Sequence, residues 1–100
     1  MIKYVEIKPA TQKGKKLQSI FYDENKKKIE TIPFGAEGMS DFTLHKDPKR
    51  KERYLDRHRA REDWTKPNNA GSLSRWILWN KTTLDSSIKD YLKRFELRKI

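Results

Sequence analysis

Apolar and polar positions alternate over three short runs at the start of the chain, and then the period changes. Within residues 2–8, Val5 and Ile7 share one side while Ile2, Tyr4 and Glu6 share the other, which is the two-residue repeat of a strand. Residues 16–23 repeat the theme, with Leu17 and Phe21 opposite Ile20 and Tyr22, and residues 28–34 carry Ile29, Ile32 and Phe34. Asp23-Glu24-Asn25-Lys26 is turn chemistry. Connections this short predict a three-stranded antiparallel meander over residues 1–35. Pro33 has no N–H to offer a ladder, so the third strand is expected at a sheet edge. Gly35 and Gly38 then bracket a connecting loop, assigned to residues 36–46.

Three helices are expected beyond it. Asp47-Pro48 is a helix start, because Asp caps free amides and Pro suits the first helical position. This helix is predicted over residues 47–63, with a narrow apolar stripe of Tyr54, Leu55 and His58. A loop follows over residues 64–71. Ser72 is placed as the cap of a short helix, residues 72–80, which turns Leu73, Trp76 and Ile77 inward. Thr82 or Thr83 caps the last helix, residues 83–97, where Leu84, Ile88, Tyr91, Leu92 and Phe95 give the cleanest amphipathic pattern in the chain. The expectation is one α+β domain spanning residues 1–100.

Charge changes the picture. The net charge is +10, and it is not spread evenly. Residues 46–61 hold eight basic and three acidic groups, half of the excess, and all eight arginines lie at or beyond position 50. Arginine offers phosphate a planar fork where lysine is a point charge, so the predicted 47–63 helix is the part of the chain suited to oriented anion contacts. Lys49, Arg53, Arg57 and Arg61 stand four apart on it as a basic row, joined by Arg50 and Arg59. Lys13, Lys15 and Lys16 form a second cationic group.

Composition excludes several classes of function. There is no cysteine, which removes disulfides, thiol nucleophiles and cysteine-based metal sites. The longest apolar run is Trp76-Ile77-Leu78-Trp79, far short of the ~20 residues of a membrane span, and the N-terminus lacks a secretory pattern. His45 and His58 are thirteen apart with no zinc spacing around them. Asp41, Thr43 and His45 fall on one face if that segment is extended. A base built from His45 and Asp47 with Arg50 as clamp is a grouping that charged sequences produce by chance. No phosphate-cradling glycine loop or dinucleotide fingerprint is present. No cofactor, no metal and no enzymatic activity are expected.

Two readings remain. In the first, the chain binds nucleic-acid phosphates through Lys49, Arg50, Arg53, Arg57, Arg59 and Arg61 together with Lys13, Lys15 and Lys16, with Trp64, Trp79 and Tyr22 as candidate stacking residues. In the second, the same basic face and tryptophan anchors contact other proteins of a particle. Phe34-Gly35, Asp41-Phe42-Thr43, His45, Asp47, Arg50, Arg53-Tyr54, Arg57-His58, Asp63-Trp64, Ala70-Gly71, Ser74 and Trp79 resemble a family of short basic proteins encoded by large nucleocytoplasmic DNA viruses of the mimivirus and phycodnavirus kind. The resemblance covers roughly residues 30–92. It implies a giant-virus setting, with the protein in the virion or in the infected cell's cytoplasm or nucleus, packaged with the genome or serving as a minor capsid component. It brings no assigned chemistry.

Overall fold

The computed structural model describes all 100 residues, and the three alternating runs form strands β1 (Ile2–Pro9), β2 (Lys15–Asp23) and β3 (Lys28–Ala36). Both pairings are antiparallel, so the meander is as expected, and β3 lies at the edge that Pro33 requires. Register sets the two faces. Val5 lies opposite Phe21 and Leu17 opposite Phe34, and with Ile7 and Ile32 these residues form the face that packs under the helices. Tyr4, Glu6, Ile20 and Tyr22 alternate onto the other face. At the free edge of β1 a fourth strand that the sequence pattern does not predict, β4 (Arg98–Lys99), pairs in parallel, and the last helix ends at Arg94, three residues short of the expected limit at 97.

The helices keep their expected order with different limits. A one-turn helix α1 (Phe42–His45) forms within the expected connecting loop, capped by Asp41, whose carboxylate accepts from the Thr43 amide at 2.9 Å. Helix α2 (Pro48–Arg59) starts at the Asp47 cap as predicted, but it stops four residues before position 63. Its inward stripe of Tyr54, Leu55 and His58 would continue at Arg61 and Glu62, so a further turn would add no apolar side chain to that side. Asn69 rather than Ser72 caps α3 (Ala70–Leu73), accepting from the Ser72 amide at 2.7 Å, while Ser72 itself is buried. The chain continues without a break into a π-helical stretch, Ser74–Leu78, closed by the Trp79 amide donating to the Ser74 carbonyl at 3.0 Å. This wider i→i+5 turn allows Leu73, Ile77 and Leu78 all to enter the core.

Helix α4 (Leu84–Arg94) is capped by Thr83 and ends in a left-handed turn at Glu96, φ 53°. The Leu97 amide donates back to the Leu92 carbonyl at 2.9 Å and the Glu96 amide to that of Lys93 at 3.3 Å, the paired bonds of a Schellman ending. That turn seats Leu97 in the core and aims Arg98 at β1. The core is one cluster of Val5, Phe21, Phe34, Leu73, Ile77, Leu78, Tyr91 and Leu97. No residue of α2 belongs to it. No helix is long and apolar enough to cross a membrane.

Candidate functional site

Helix α2 is held to the body by one side and offers charge on the other. On the inner side the Tyr54 ring stacks on Trp79, centroids 4.2 Å apart and planes within 3°, and His58 stacks on Tyr54 at 4.1 Å. Burial pushes the Tyr54 phenol up to about 12, with the Glu62 carboxylate adding to the effect. Lys51 also points inward. Its ammonium donates to the Asn80 carbonyl at 2.7 Å and lies 4.9 Å from the Phe42 ring centroid. Burial, then the nearby Arg75 and Lys81 charges, hold the Lys51 pKa below its ordinary value.

The outer side carries Lys49, Arg50, Arg53, Arg57 and Arg59, all exposed, and Arg61 is exposed in the turn that follows. Only Arg59 has a carboxylate within reach, Asp56 at 3.5 Å, and both side chains of that pair are mostly solvated. Arg61 does not extend the helical row. It folds back to donate to the Arg57 carbonyl at 3.4 Å, satisfying the open C-terminal end of the helix. Five cations of this segment therefore have no protein counterion.

The second cationic group divides. Lys16 is taken up by Asp41, ammonium to carboxylate at 2.5 Å, with the carboxylate nearly buried, so Lys16 is a structural residue and not a free contact. Lys13 stands exposed between β1 and β2, while Lys15 is half-buried. Lys15 and Arg57, forty-two positions apart in the chain, line the same cleft of about 380 Å³ between the start of β2, the end of β3, α2 and the π-helical stretch. Phe34, Leu78 and Trp79 supply its apolar lining, and Asp41, His58, Glu62 and Ser74 its polar groups. Two glycines shape the cleft. A Cβ on Gly35, whose φ is +78°, would stand 2.7 Å from Leu78 Cδ1, and one on Gly71 would stand 2.9 Å from the Glu62 carboxyl carbon. The Glu62 carboxylate beside Gly71 holds His58 Nδ1 and accepts from Trp64 Nε1, each at 2.9 Å.

Of the aromatic candidates, Trp79 is used in the Tyr54 stack, and Trp64 lies 5.4 Å from the Arg75 guanidinium. Tyr22 is on the far face of the sheet, where its hydroxyl donates to Glu6 at 3.4 Å, so it does not adjoin α2. Trp76 and Trp79, three apart in the chain, have different neighbours. Trp76 lies between Arg75 at 4.1 Å and Arg94 at 3.7 Å. Burial, with Arg94 next, lowers the Arg75 pKa, and this arginine had no role in the sequence reading.

The Asp41–His45 segment is helical rather than extended, and its groups are separately engaged. Asp41 accepts from both the amide and the hydroxyl of Thr43 as well as from Lys16. His45 Nδ1 accepts the Asp47 amide at 3.0 Å, and its ring packs 5.3 Å from that of Trp79. Burial, then the charge of Arg50, lowers the His45 pKa below 6.5. Asp41 lines the cleft beside α2 whereas His45 does not, so the two share no open space. No three His, Asp or Glu side chains gather to hold a metal ion.

No curated protein and no solved structure matches the chain. Residues 5–58, from β1 to the last turn of α2, match a family of unknown function, DUF5754. That stretch is more than half of the chain and includes Lys13, Lys15 and Lys16, the basic residues of α2 up to Arg57, and the Lys16–Asp41 pair that ties the sheet to α1, so the protein belongs to this family.

Proposed function

We propose that the protein binds the phosphate backbone of nucleic acid through the exposed face of α2. The observation that carries this reading is the set of five exposed cations, Lys49, Arg50, Arg53, Arg57 and Arg61, with no carboxylate partner, on a segment that gives the buried interior only Tyr54. A folded chain gains no stability from such a cluster, since unpaired like charges repel one another. Phosphates spaced along a strand would neutralise them and release condensed counterions. Contacts of this kind give affinity with little sequence preference. In the setting that the sequence resemblance implies, the ligand is a viral genome with which the protein is packaged.

The tryptophans that would anchor a protein partner in the alternative reading, a minor capsid or internal virion role, are engaged within the chain. Trp79 is stacked on Tyr54, Trp76 is held between two arginines, and Trp64 bonds to Glu62.

The test is to change Arg53, Arg57 and Arg61 together to Glu and to measure binding to labelled DNA and RNA by fluorescence anisotropy. Affinity is expected to fall by about a hundredfold or more at moderate salt, with the fold intact by circular dichroism. Unchanged affinity would sink the proposal.

A further inference from the structure

The cleft beside α2 is where the basic face meets an apolar lining. Lys15 comes from the sheet and Arg57 from the helix, and neither has a carboxylate partner, although the two acids of the cleft are both engaged, Asp41 with Lys16 and Glu62 with His58 and Trp64. The cleft therefore offers two uncommitted cations beside the half-buried Trp79 ring, with the almost fully buried Phe34 and Leu78 forming part of its wall. Its volume of about 380 Å³ is toward the lower end of the ~300–1,000 Å³ found for small-ligand sites. Met39, 64% exposed at the lip, adds a flexible apolar contact. Each Glu62 oxygen receives one donor from the protein and keeps lone pairs to accept another.

We propose that this cleft seats one nucleoside monophosphate unit of a single strand, with its phosphate between Lys15 and Arg57, its base against the apolar lining, and Glu62 accepting from a base amino group. The proposal rests on the backbone-binding reading of α2 and names the form of nucleic acid that this face prefers. A duplex keeps its bases stacked and paired and can reach only the outer cations, whereas a single strand can splay a base into a pocket. A free nucleotide carries the same chemistry, so the experiment separates the two sources.

Two variants fill the cleft from exposed positions without touching a cation, Ala70→Phe from the start of α3 and Ser40→Phe from the opposite loop. Binding of a fluorescent single-stranded oligonucleotide and of a duplex of the same length is measured for both and for the native chain. In parallel, ¹⁵N-labelled native protein is titrated with adenosine 5′-monophosphate and with ribose 5-phosphate. Each variant is expected to weaken the single strand about tenfold, within the range of one lost base contact, and to leave duplex affinity within about twofold. The mononucleotide is expected to shift the Gly35, Gly71 and Ser74 amides saturably, and ribose 5-phosphate to leave Gly71 and Ser74 in place. If both strand forms bind and neither variant separates them, the nucleotide seat is wrong and the basic-helix reading stands. If the mononucleotide saturates the cleft while neither strand binds, the site belongs to a free nucleotide and the basic-helix reading falls. If no probe binds, both are wrong.

Discussion

Helices α2 and α4 are nearly equal in length, 12 and 11 residues, and both begin at a side-chain cap. They differ in what they do with their charges and rings. Along α4, Lys89 and Arg94 each reach the aspartate one turn earlier, Asp85 at 3.2 Å and Asp90 at 3.4 Å. Tyr91 is fully buried, and its hydroxyl donates to the Pro67 carbonyl at 2.9 Å. Residues 84–94 carry a net charge of +1, and residues 48–59 carry +4. α2 has one solvated ion pair and one buried ring. α4 holds the fold together, whereas α2 is carried by the fold and tolerates self-repulsion that α4 has removed. Damage to α4 should therefore appear in unfolding, and damage to α2 in binding.

Truncating the two buried tyrosines tests that contrast most severely. Tyr91→Ala opens the centre of the core and is expected to cost about 3–5 kcal/mol in urea unfolding. It should remove sheet and helix protection together. Tyr54→Ala is expected to cost less, about 2–3 kcal/mol, because it cuts only the stack under α2. Hydrogen exchange in that variant should accelerate across α2 and leave β1–β3 protected, as local opening requires. Equal costs, or a global loss of protection from Tyr54→Ala, would break the comparison.

A smaller effect sharpens it. His45 lies at the junction of α1 and α2 against Trp79, and its pKa is lowered in the folded state by burial. Well above pH 6.5 His45 is neutral whether the chain is folded or not, and its contribution to stability is complete. As pH falls from 6.5 through the folded value, the unfolded chain takes up a proton that the folded one resists, and the contribution is lost. The native protein should thus lose more of its urea midpoint between pH 7.5 and 5 than His45→Gln does. Parallel losses in the two would remove His45 from the account.

The sheet and α4 were legible because burial on one face imposes a period, two for Val5–Ile7 and three to four for Ile88–Tyr91–Leu92–Phe95, although Leu84, expected on the same face, is exposed at the start of the helix. The features that went unseen have no period of their own. Strand β4 is two residues, Arg98 and Lys99, with no apolar signal, and it exists because the turn at Glu96 delivers it to a free edge. Asn69 and Ser72 are both good caps, and a single amide bond decides between them. Lys13, Lys15 and Lys16 look alike in sequence. Only the fold brings Asp41, 25 positions away, onto Lys16 and leaves Lys15 lining the same cleft as Arg57. The basic face was visible as charge density, whereas the cleft beside it draws on segments from residue 15 to residue 79 and has no local signature.

The central claim is that the unpaired cations of α2 meet phosphate, and the salt dependence of nucleic-acid affinity reads this directly. For the native chain, log K against log salt should fall with a slope between about −3 and −5, as expected when most of five cations displace counterions. The variant with Arg53, Arg57 and Arg61 changed to Glu should give a slope shallower by about 2 to 3. A native slope shallower than about −1, or the same slope in both proteins, would contradict the account.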